Sequence, residues 1–175
     1  MLSVYAGAAT FLAVIYQSYG ASLMEVLVHH YDAFSATPNK GNPAGVVVDA
    51  DGMSDAMMQE IALKVGFNET AFVLPSCEAA IRIRFFTPRH EMPLCGHATI
   101  ASVVALYERN ILPLDTLSNS LSIETKAGVL PLSVRSNAES GSVVVEMTQA
   151  PAEFVNFEGN RQSLADALGI QVSDF

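Results

Sequence analysis

The chain has 175 residues, of which 50% are hydrophobic, and this suits one globular domain with a real core. Its formal net charge is -9 and its nine Lys and Arg residues are scattered, so the sequence lacks the basic surface that a nucleic-acid partner requires. Two cysteines are too few for a disulfide framework, which predicts reduced thiols and a cytoplasmic protein.

The first 23 residues contain no charged side chain. A secretory signal peptide would carry a positive charge near its start, yet the first Lys or Arg is Lys40. A membrane span is not expected either, because polar residues from Tyr16 to Gly20 interrupt the apolar run. We therefore interpret residues 1–23 as a non-native or mis-started extension that need not be ordered, with a poor signal peptide as the alternative. The domain is expected to open at Met24.

The next segment predicts two strands followed by a helix. Residues 25–34 and 45–49 have strand character and are separated by a turn dense in Pro, Gly and Asn. Ser54 is a good N-cap, and apolar residues recur with helical spacing after it until Gly66. This spacing predicts an amphipathic helix that covers the core from outside.

A second pair of strands follows that helix. Residues 69–74 are apolar after a polar entrance at Glu69, and residues 81–86 alternate between apolar and polar. Because the connection between them is short, we expect these two strands to be antiparallel. On its own, Glu69 is most simply a solvated charge at the entrance of a strand.

The sequence from Cys95 to Glu108 predicts a helix that is apolar on every side, and such a helix must be buried on every side. Its first backbone N–H groups have no partner within the helix and, with the helix dipole, attract anions. Gly96 would let a ligand approach this backbone, with Cys95 and His97 beside it to exchange protons. Alternatively, Gly96 only starts the helix, Cys95 is a small core residue and His97 is an ordinary polar residue of the first turn.

The rest of the chain predicts a three-stranded meander and a terminal helix. Residues 121–125, 130–134 and 143–147 alternate in polarity and are joined by polar turns. A linker at 149–152 then leads to a short amphipathic helix at 161–168. We expect an α+β fold in which a mostly antiparallel sheet curls around the central helix. Residues 24–150 form this domain, and residues 151–175 begin a second unit.

Phosphate and metal motifs are not supported. Gly41 to Gly45 lacks the spacing and the Lys-Ser/Thr pair of a phosphate-binding loop. His29 and His30 point to opposite faces of a strand, and Cys95 with His97 makes at most a weak pair of ligands. The sequence therefore predicts no metal site and no phosphate-binding loop.

Several short blocks occur in an order that resembles the PhzF-like family, from about Glu25 to the C-terminus. They are Asp32-Ala33-Phe34, Gly41-Asn42-Pro43, Asp49-Ala50-Asp51-Gly52, Asn68-Glu69-Thr70, Arg84-Phe85-Phe86-Thr87-Pro88 and Cys95-Gly96-His97-Ala98-Thr99. That family is similar in fold to diaminopimelate epimerase, with two related halves, each a sheet around a central helix, and an active site between them. The resemblance therefore implies the same curled α+β architecture.

The resemblance also implies a cofactor-independent isomerase that moves a proton on a small carboxylate-bearing substrate. By this resemblance Glu69 is the proton shuttle and His97 is the second catalytic residue. The expected substrate-binding residues are Gly96, Cys95, Asn42 and Asp32. If this assignment is right, Glu69 and the start of the central helix should face one concave surface as near neighbours.

Members of that family run well beyond 175 residues, so the resemblance implies that this chain is an N-terminal half. We expect it to be inactive alone and to self-associate, for example as a homodimer, or to aggregate through an exposed apolar face. One alternative is an epimerase or racemase with Cys95 as a thiolate base, although Cys77 is a poor candidate for the second thiol. The other alternative is an inactive binding or oligomerisation module.

Overall fold

The computed structural model describes residues 10–16, 24–35, 37, 39–112, 120–136, 143–148 and 154–174. The strands within these ranges are β1 Thr10–Tyr16, β2 Met24–Ala33, β3 Asn42–Val47, β4 Glu69–Leu74, β5 Ile81–Phe86, β6 Glu91–Met92, β7 Ser120–Thr125, β8 Gly128–Ser136 and β9 Val143–Met147. The helices are α1 Asp55–Val65, α2 Gly96–Glu108 and α3 Arg161–Leu168, followed by a 3-10 turn at Val172–Asp174.

The strands form one sheet in the order β1-β2-β3-β4-β5-β7-β8-β9, with β6 paired to β5. Two neighbouring pairs are parallel, β3 with β4 and β5 with β7, and every other pair is antiparallel. Each parallel pair is connected through a helix, α1 in the first case and α2 in the second, as parallel neighbours require. The predicted antiparallel pairing of β4 with β5 and the predicted meander of β7, β8 and β9 are confirmed.

The sheet curls around α2. Nine consecutive residues of this helix, from Ala98 to Leu106, are buried. The helix contacts β2, β3 and β4 on one side and β9 on the other, so strands from distant parts of the sheet meet on its surface. Burial on all sides explains why the helix has no polar face. The predicted α+β fold, a mostly antiparallel sheet curled around a central buried helix, is confirmed.

Helix α1 covers the other face of the sheet. Met58, Ile61 and Ala62 are fully buried there in a second core cluster that includes Val28 and Phe72. The helix begins where the Ser54 side chain accepts a hydrogen bond from the Met57 N–H, and it ends at Gly66 with φ 74. Both predicted ends are confirmed.

Two strands differ from the predictions. The strand predicted at 45–49 lies at Asn42–Val47, because pairing with β2 begins at Asn42 and Pro43. Within the predicted extension at residues 1–23, Thr10–Tyr16 forms a strand that was not predicted and that pairs with β2 along its whole length. Without this strand the edge of β2 would leave its backbone groups unpaired, and the segment TFLAVIY is rich in residues that favour strands. The prediction for residues 1–23 used only composition and charge, which do not indicate strand pairing. That residues 1–23 are an extension stays a prediction.

The C-terminal part of the described chain is α3 and its flanking segments. Helix α3 has the predicted bounds; the Asn160 side chain caps its first turn, and Gly169 ends it. The predicted linker at 149–152 lies outside the described residues. Phe154 and Val155, which follow it, are 93% and 91% exposed. Within the described ranges, the helices are all too short or too polar to cross a membrane.

Candidate active site

Glu69 is the first residue of β4 and lies beside Ala44 of β3. Ala71 and Val73, two and four residues later, belong to the core cluster around α2. Side chains alternate along a strand, so Glu69 points to the same concave face of the sheet. Its side chain is 18% exposed, so solvent or a ligand can still reach the carboxylate.

The N-terminus of α2 lies against this face. Cys95 is the N-cap, with extended backbone, and its carbonyl accepts hydrogen bonds from both the N–H and the hydroxyl of Thr99. These two bonds fix the first turn. Gly96 follows, and a Cβ built on it would contact only the Met147 methyl group, at 3.6 Å. The backbone at Gly96 is therefore open to close approach.

Three side chains meet where β4 and α2 begin. The His97 Nε2 lies 3.2 Å from Glu69 Oε2, and the Cys95 Sγ lies 3.3 Å from His97 Nδ1. The predicted proximity of Glu69 to the start of the central helix is confirmed. The Nε2 to Oε2 direction is not that of a hydrogen bond, however, and buried Nε2 has no hydrogen-bond partner among the described residues.

Burial sets the charge of this cluster. It raises the pKa of the Cys95 thiol to about 11. It also lowers the pKa of His97, outweighing the opposite effects of the Glu69 carboxylate and of a hydrogen bond with the Pro43 backbone. At neutral pH both groups are therefore uncharged. A Cys95 thiol that donates to Nδ1 leaves the ring proton on Nε2, facing Glu69.

The two remaining predicted site residues differ from each other in position. Asn42 lies two residues before Ala44 on β3 and so shares the concave face with Glu69. Asp32 lies four residues after Val28 on β2 and so shares the α1 face. Its carboxylate accepts a hydrogen bond from the Asn39 N–H and lies 3.2 Å from His30 Nε2. These contacts are those of a residue that holds the loop after β2. The substrate-binding role of Asp32 stays a prediction that its contacts do not support.

Sequence reasoning missed a second polar cluster, at the opposite end of α2. The Tyr31 hydroxyl donates to Glu108 Oε2 at 2.8 Å and accepts from Arg109. Arg109 also donates to His29 Nδ1, at 2.6 Å. Burial lowers the pKa of His29 to about 4 and raises the pKa of Tyr31 to about 12. The sequence contained one indication of this cluster: His29 and Tyr31 are two residues apart on a strand and therefore share a face, and buried polar groups need hydrogen-bond partners.

The sequence also predicted no metal site. In the described part of the chain, one ligand atom from each of Glu69, Cys95 and His97 lies within 4.8 Å of the other two. The sequence showed only Cys95 and His97 as a pair, because Glu69 is far away along the chain. The absence of a metal therefore stays a prediction.

Comparison with known proteins places these residues in context. The family model described as phenazine biosynthesis-like protein matches residues 31–174. The uncharacterized isomerase YfhB of Bacillus subtilis is 44% identical over 153 residues, which cover 87% of this chain and 50% of that protein. The trans-2,3-dihydro-3-hydroxyanthranilate isomerase of Pseudomonas chlororaphis is 36% identical over 153 residues, 85% of this chain and 52% of that protein.

A solved structure agrees with these relatives. The Bacillus anthracis phenazine biosynthesis protein of the PhzF family superposes with a TM-score of 0.73 at 50% sequence identity. The match covers 85% of this chain and 48% of that one. The present chain thus spans about half the length of the curated relatives it matches.

Proposed function

The chain belongs to the phenazine biosynthesis-like family, and from this premise we propose that it is half of a cofactor-independent isomerase that moves a proton on a small carboxylate-bearing substrate. One observation carries the proposal. The Glu69 carboxylate lies 3.2 Å from His97 at the N-terminus of a buried helix. A proton acceptor and an anion-stabilising backbone then face the same space.

The proposed reaction needs one proton to leave and return. The Glu69 carboxylate takes a proton from a substrate carbon, and the electron pair of the broken C–H bond delocalises into the adjacent unsaturated system. The backbone N–H groups of Gly96 and His97, at the positive end of α2, stabilise the negative charge that develops. The protonated Glu69 then returns its proton to another carbon of the substrate. The neutral His97 ring lies 3.2 Å from the carboxylate, on the side of the helix N-terminus.

We propose a cyclic hydroxy amino acid or a similar small acid as the substrate class. The name of the Pseudomonas chlororaphis relative, 36% identical, describes a substrate of this kind. A substrate carboxylate would be attracted by the helix N-terminus despite the net charge of -9, because that attraction is local. Gly96 and Asn42 lie on the face where it would bind.

The test compares Glu69→Gln with the unaltered protein, in a form extended to the full length of its relatives. Solvent deuterium incorporation into a dihydro-hydroxyanthranilate-type acid is measured by mass spectrometry. Because Gln cannot carry the proton, the rate should fall by about 10²- to 10⁴-fold while the circular dichroism spectrum stays the same. Glu78→Gln, at an exposed turn, is the matched control and should exchange normally. A Glu69→Gln variant with full activity would refute the proton shuttle.

The thiolate alternative is less well supported. Cys95 is 9% exposed, and the raised pKa of its thiol, about 11, keeps it protonated at neutral pH. The other cysteine, Cys77, is exposed and lies between β4 and β5. In the same assay Cys95→Ala should therefore reduce the rate much less than Glu69→Gln. The opposite ranking would favour a Cys-dependent epimerase or racemase.

We further propose that the 175-residue chain is inactive by itself. Proton transfer to carbon is favoured by groups on both sides of the substrate and by exclusion of water. This chain supplies catalytic groups on one side of the proposed substrate. Its Phe154 and Val155 side chains are almost completely exposed. Sedimentation should show self-association, as a homodimer or larger species, and the deuterium assay should show no exchange. A stable monomer that exchanges a substrate proton would contradict this. A cytoplasmic location is part of the same proposal.

A further inference from the structure

We propose that Glu69, Cys95 and His97 bind a thiophilic divalent cation of the Zn²⁺ class, and that the bound cation inhibits the isomerase. The binding stands on geometry alone. Its inhibitory effect rests on the proposed function, since it assumes that Glu69 carries the proton.

The ligand set has the right chemistry. Thiolate, imidazole and carboxylate are the three donor types found in protein zinc sites, and a set of three with an open fourth position is typical of zinc sites that accept a further ligand. One donor atom from each of Glu69, Cys95 and His97 lies within 4.8 Å of the others. Glu69 is partly exposed, so water can occupy the fourth position.

The separations are close to those that a tetrahedral ion imposes. Bonds of about 2.0–2.3 Å at tetrahedral angles place two ligand atoms about 3.3–3.6 Å apart. Glu69 Oε2 and His97 Nε2 are 3.2 Å apart, and Cys95 Sγ and His97 Nδ1 are 3.3 Å apart. Because one ring nitrogen would serve as the ligand, the remaining separation, at most 4.8 Å, has to shorten by about 1 Å. A rotation of the Cys95 side chain can supply this when Nε2 is the ligand, and a rotation of the Glu69 side chain when Nδ1 is the ligand.

A second observation points to a ligand independently of the donor types. The His97 side chain is only 10% exposed, and its Nε2 has no hydrogen-bond partner among the described residues. This nitrogen lies 3.2 Å from the Glu69 carboxylate without the direction of a hydrogen bond, whereas buried polar atoms are nearly always satisfied. A cation held by both groups would satisfy the nitrogen and neutralise the carboxylate.

Binding has to replace the thiol proton of Cys95. The S–H bond breaks, a metal–sulfur bond forms, and one proton is released to solvent. One nitrogen of the His97 ring presents its lone pair to the cation, and the other nitrogen keeps its proton.

The effect on the reaction follows from the carboxylate. A Glu69 oxygen bonded to a cation is a much weaker base, and the bound ion fills the space beside Gly96 that the substrate would use. The cation should therefore compete with the substrate, and a chelator should restore activity.

The experiment is a Co²⁺ titration of the metal-free 175-residue chain, followed by the sulfur-to-cobalt charge-transfer absorption in the near ultraviolet. The unaltered chain and Cys77→Ser should give the same band, since Cys77 lies outside the cluster. Cys95→Ser should abolish the band. Glu69→Gln should keep the band, because the sulfur ligand remains. Its affinity for Co²⁺ should fall by about tenfold to hundredfold, because one ligand is lost. Absence of the band in the unaltered chain, or its loss in Cys77→Ser alone, would overturn the site.

Inhibition is tested separately, with Zn²⁺ in the deuterium assay of the full-length form. The expected result is inhibition that a chelator reverses and that excess substrate weakens. A cobalt band without any isomerase activity would refute the proposed function and leave the metal site. Isomerase activity without a cobalt band would refute the metal site and leave the proposed function. A cobalt band with no inhibition by Zn²⁺ would refute the inhibitory role.

Discussion

The two ends of α2 carry polar clusters that are built in opposite ways. At the C-terminal end, Arg109 donates to both Tyr31 and His29, and Tyr31 donates to Glu108. At the N-terminal end, His97 lies close to Glu69 without a hydrogen bond, and its buried Nε2 is unpartnered among the described residues. In the first cluster the side chains are hydrogen-bonded to one another, whereas in the second a buried nitrogen lies against a partly exposed carboxylate without a hydrogen bond to it.

This difference indicates which cluster stabilises the fold and which binds a ligand. Hydrogen bonds between buried groups hold elements together, and the loss of one partner is costly. An unsatisfied buried group lowers stability, and it persists where a ligand completes it. We therefore expect substitutions at the C-terminal end to change stability and substitutions at the N-terminal end to change activity.

The largest effect on stability is expected for Arg109→Met. Met keeps much of the apolar length of the side chain but leaves Tyr31 and His29 without the charged donor. Charged hydrogen bonds contribute about 1.5–3 kcal/mol each, so the free energy of unfolding should fall by about 3–4 kcal/mol. Urea denaturation measures this.

The matched control for Arg109→Met is Arg82→Met. Arg82 pairs with Glu124 at 3.4 Å on the surface, where its side chain is 44% exposed, and such a pair contributes at most about 1 kcal/mol. Equal losses of stability in the two variants would show that the C-terminal cluster has no special structural role.

The next largest effect is a dependence of protein stability on pH that comes from His29. Burial, with a further contribution from Arg109, lowers its pKa from 6.5 to about 4 in the folded protein. Between these pH values the unfolded chain binds the proton and the folded protein does not, so stability falls as the pH is lowered from 6.5 toward 4. The shift corresponds to roughly 3 kcal/mol over this window.

His29→Gln separates this effect from that of other titrating groups. The Gln carbonyl can still accept from Arg109 but does not titrate. The free energy of unfolding, measured by urea at several pH values, should decline less steeply below pH 6.5 in the variant than in the unaltered chain. Parallel curves would mean that His29 is not the group responsible.

Local sequence patterns were sufficient for the elements that local interactions define. The ends of α1 follow from Ser54 and Gly66, and the burial of α2 follows from its continuous apolar sequence. The meander of β7 to β9 follows from alternation and polar turns. Glu69 and His97 were identified by resemblance, and their proximity is now seen directly.

The features that the sequence did not predict depend on contacts between residues that are distant along the chain. The pairing of β1 with β2 and the bonds from His29 and Tyr31 to Arg109 join segments that no local pattern connects. The orphaned Nε2 of His97 is likewise a property of the assembled site. Asp32 lies within a recognisable block, and its contact with the loop after β2 is also visible only in the assembled structure; its substrate-binding role stays a prediction.

The N-terminal end is tested by Gly96→Ala, which should separate activity from stability. The new Cβ meets only the Met147 methyl group at 3.6 Å, and Ala favours a helix over Gly by about 1 kcal/mol, so stability should not fall. The methyl group would nevertheless occupy the approach to the helix N-terminus. A displacement of the substrate by about 1 Å costs about a hundredfold in rate, and the deuterium assay of the full-length form should show such a loss.

Gly45→Ala is the contrasting glycine substitution. Its Cβ would lie 3.0 Å from Thr70 Oγ1 and 3.1 Å from the Val28 side chain, inside a packed core. Gly45→Ala should lower stability, whereas Gly96→Ala should lower activity and leave stability unchanged. That pair of results would support a ligand-binding space beside Gly96. A Gly96→Ala variant with full activity would contradict that interpretation.

The smallest effect, and the finest test of the comparison, is expected for Tyr31→Phe. The ring stays buried at 2% exposure, and only the hydroxyl that joins Glu108 to Arg109 is removed. Glu108 is exposed and can bind water instead, while Arg109 keeps its bond to His29, so the loss of stability should be about 1 kcal/mol. Tyr107→Phe, a partly buried tyrosine of the same helix outside the cluster, is the control, and both variants are measured by urea denaturation with the deuterium assay alongside. If Tyr31→Phe lowered activity and left stability unchanged, the C-terminal cluster would act on the site through α2, and the assignment of stability to one end and activity to the other would fail.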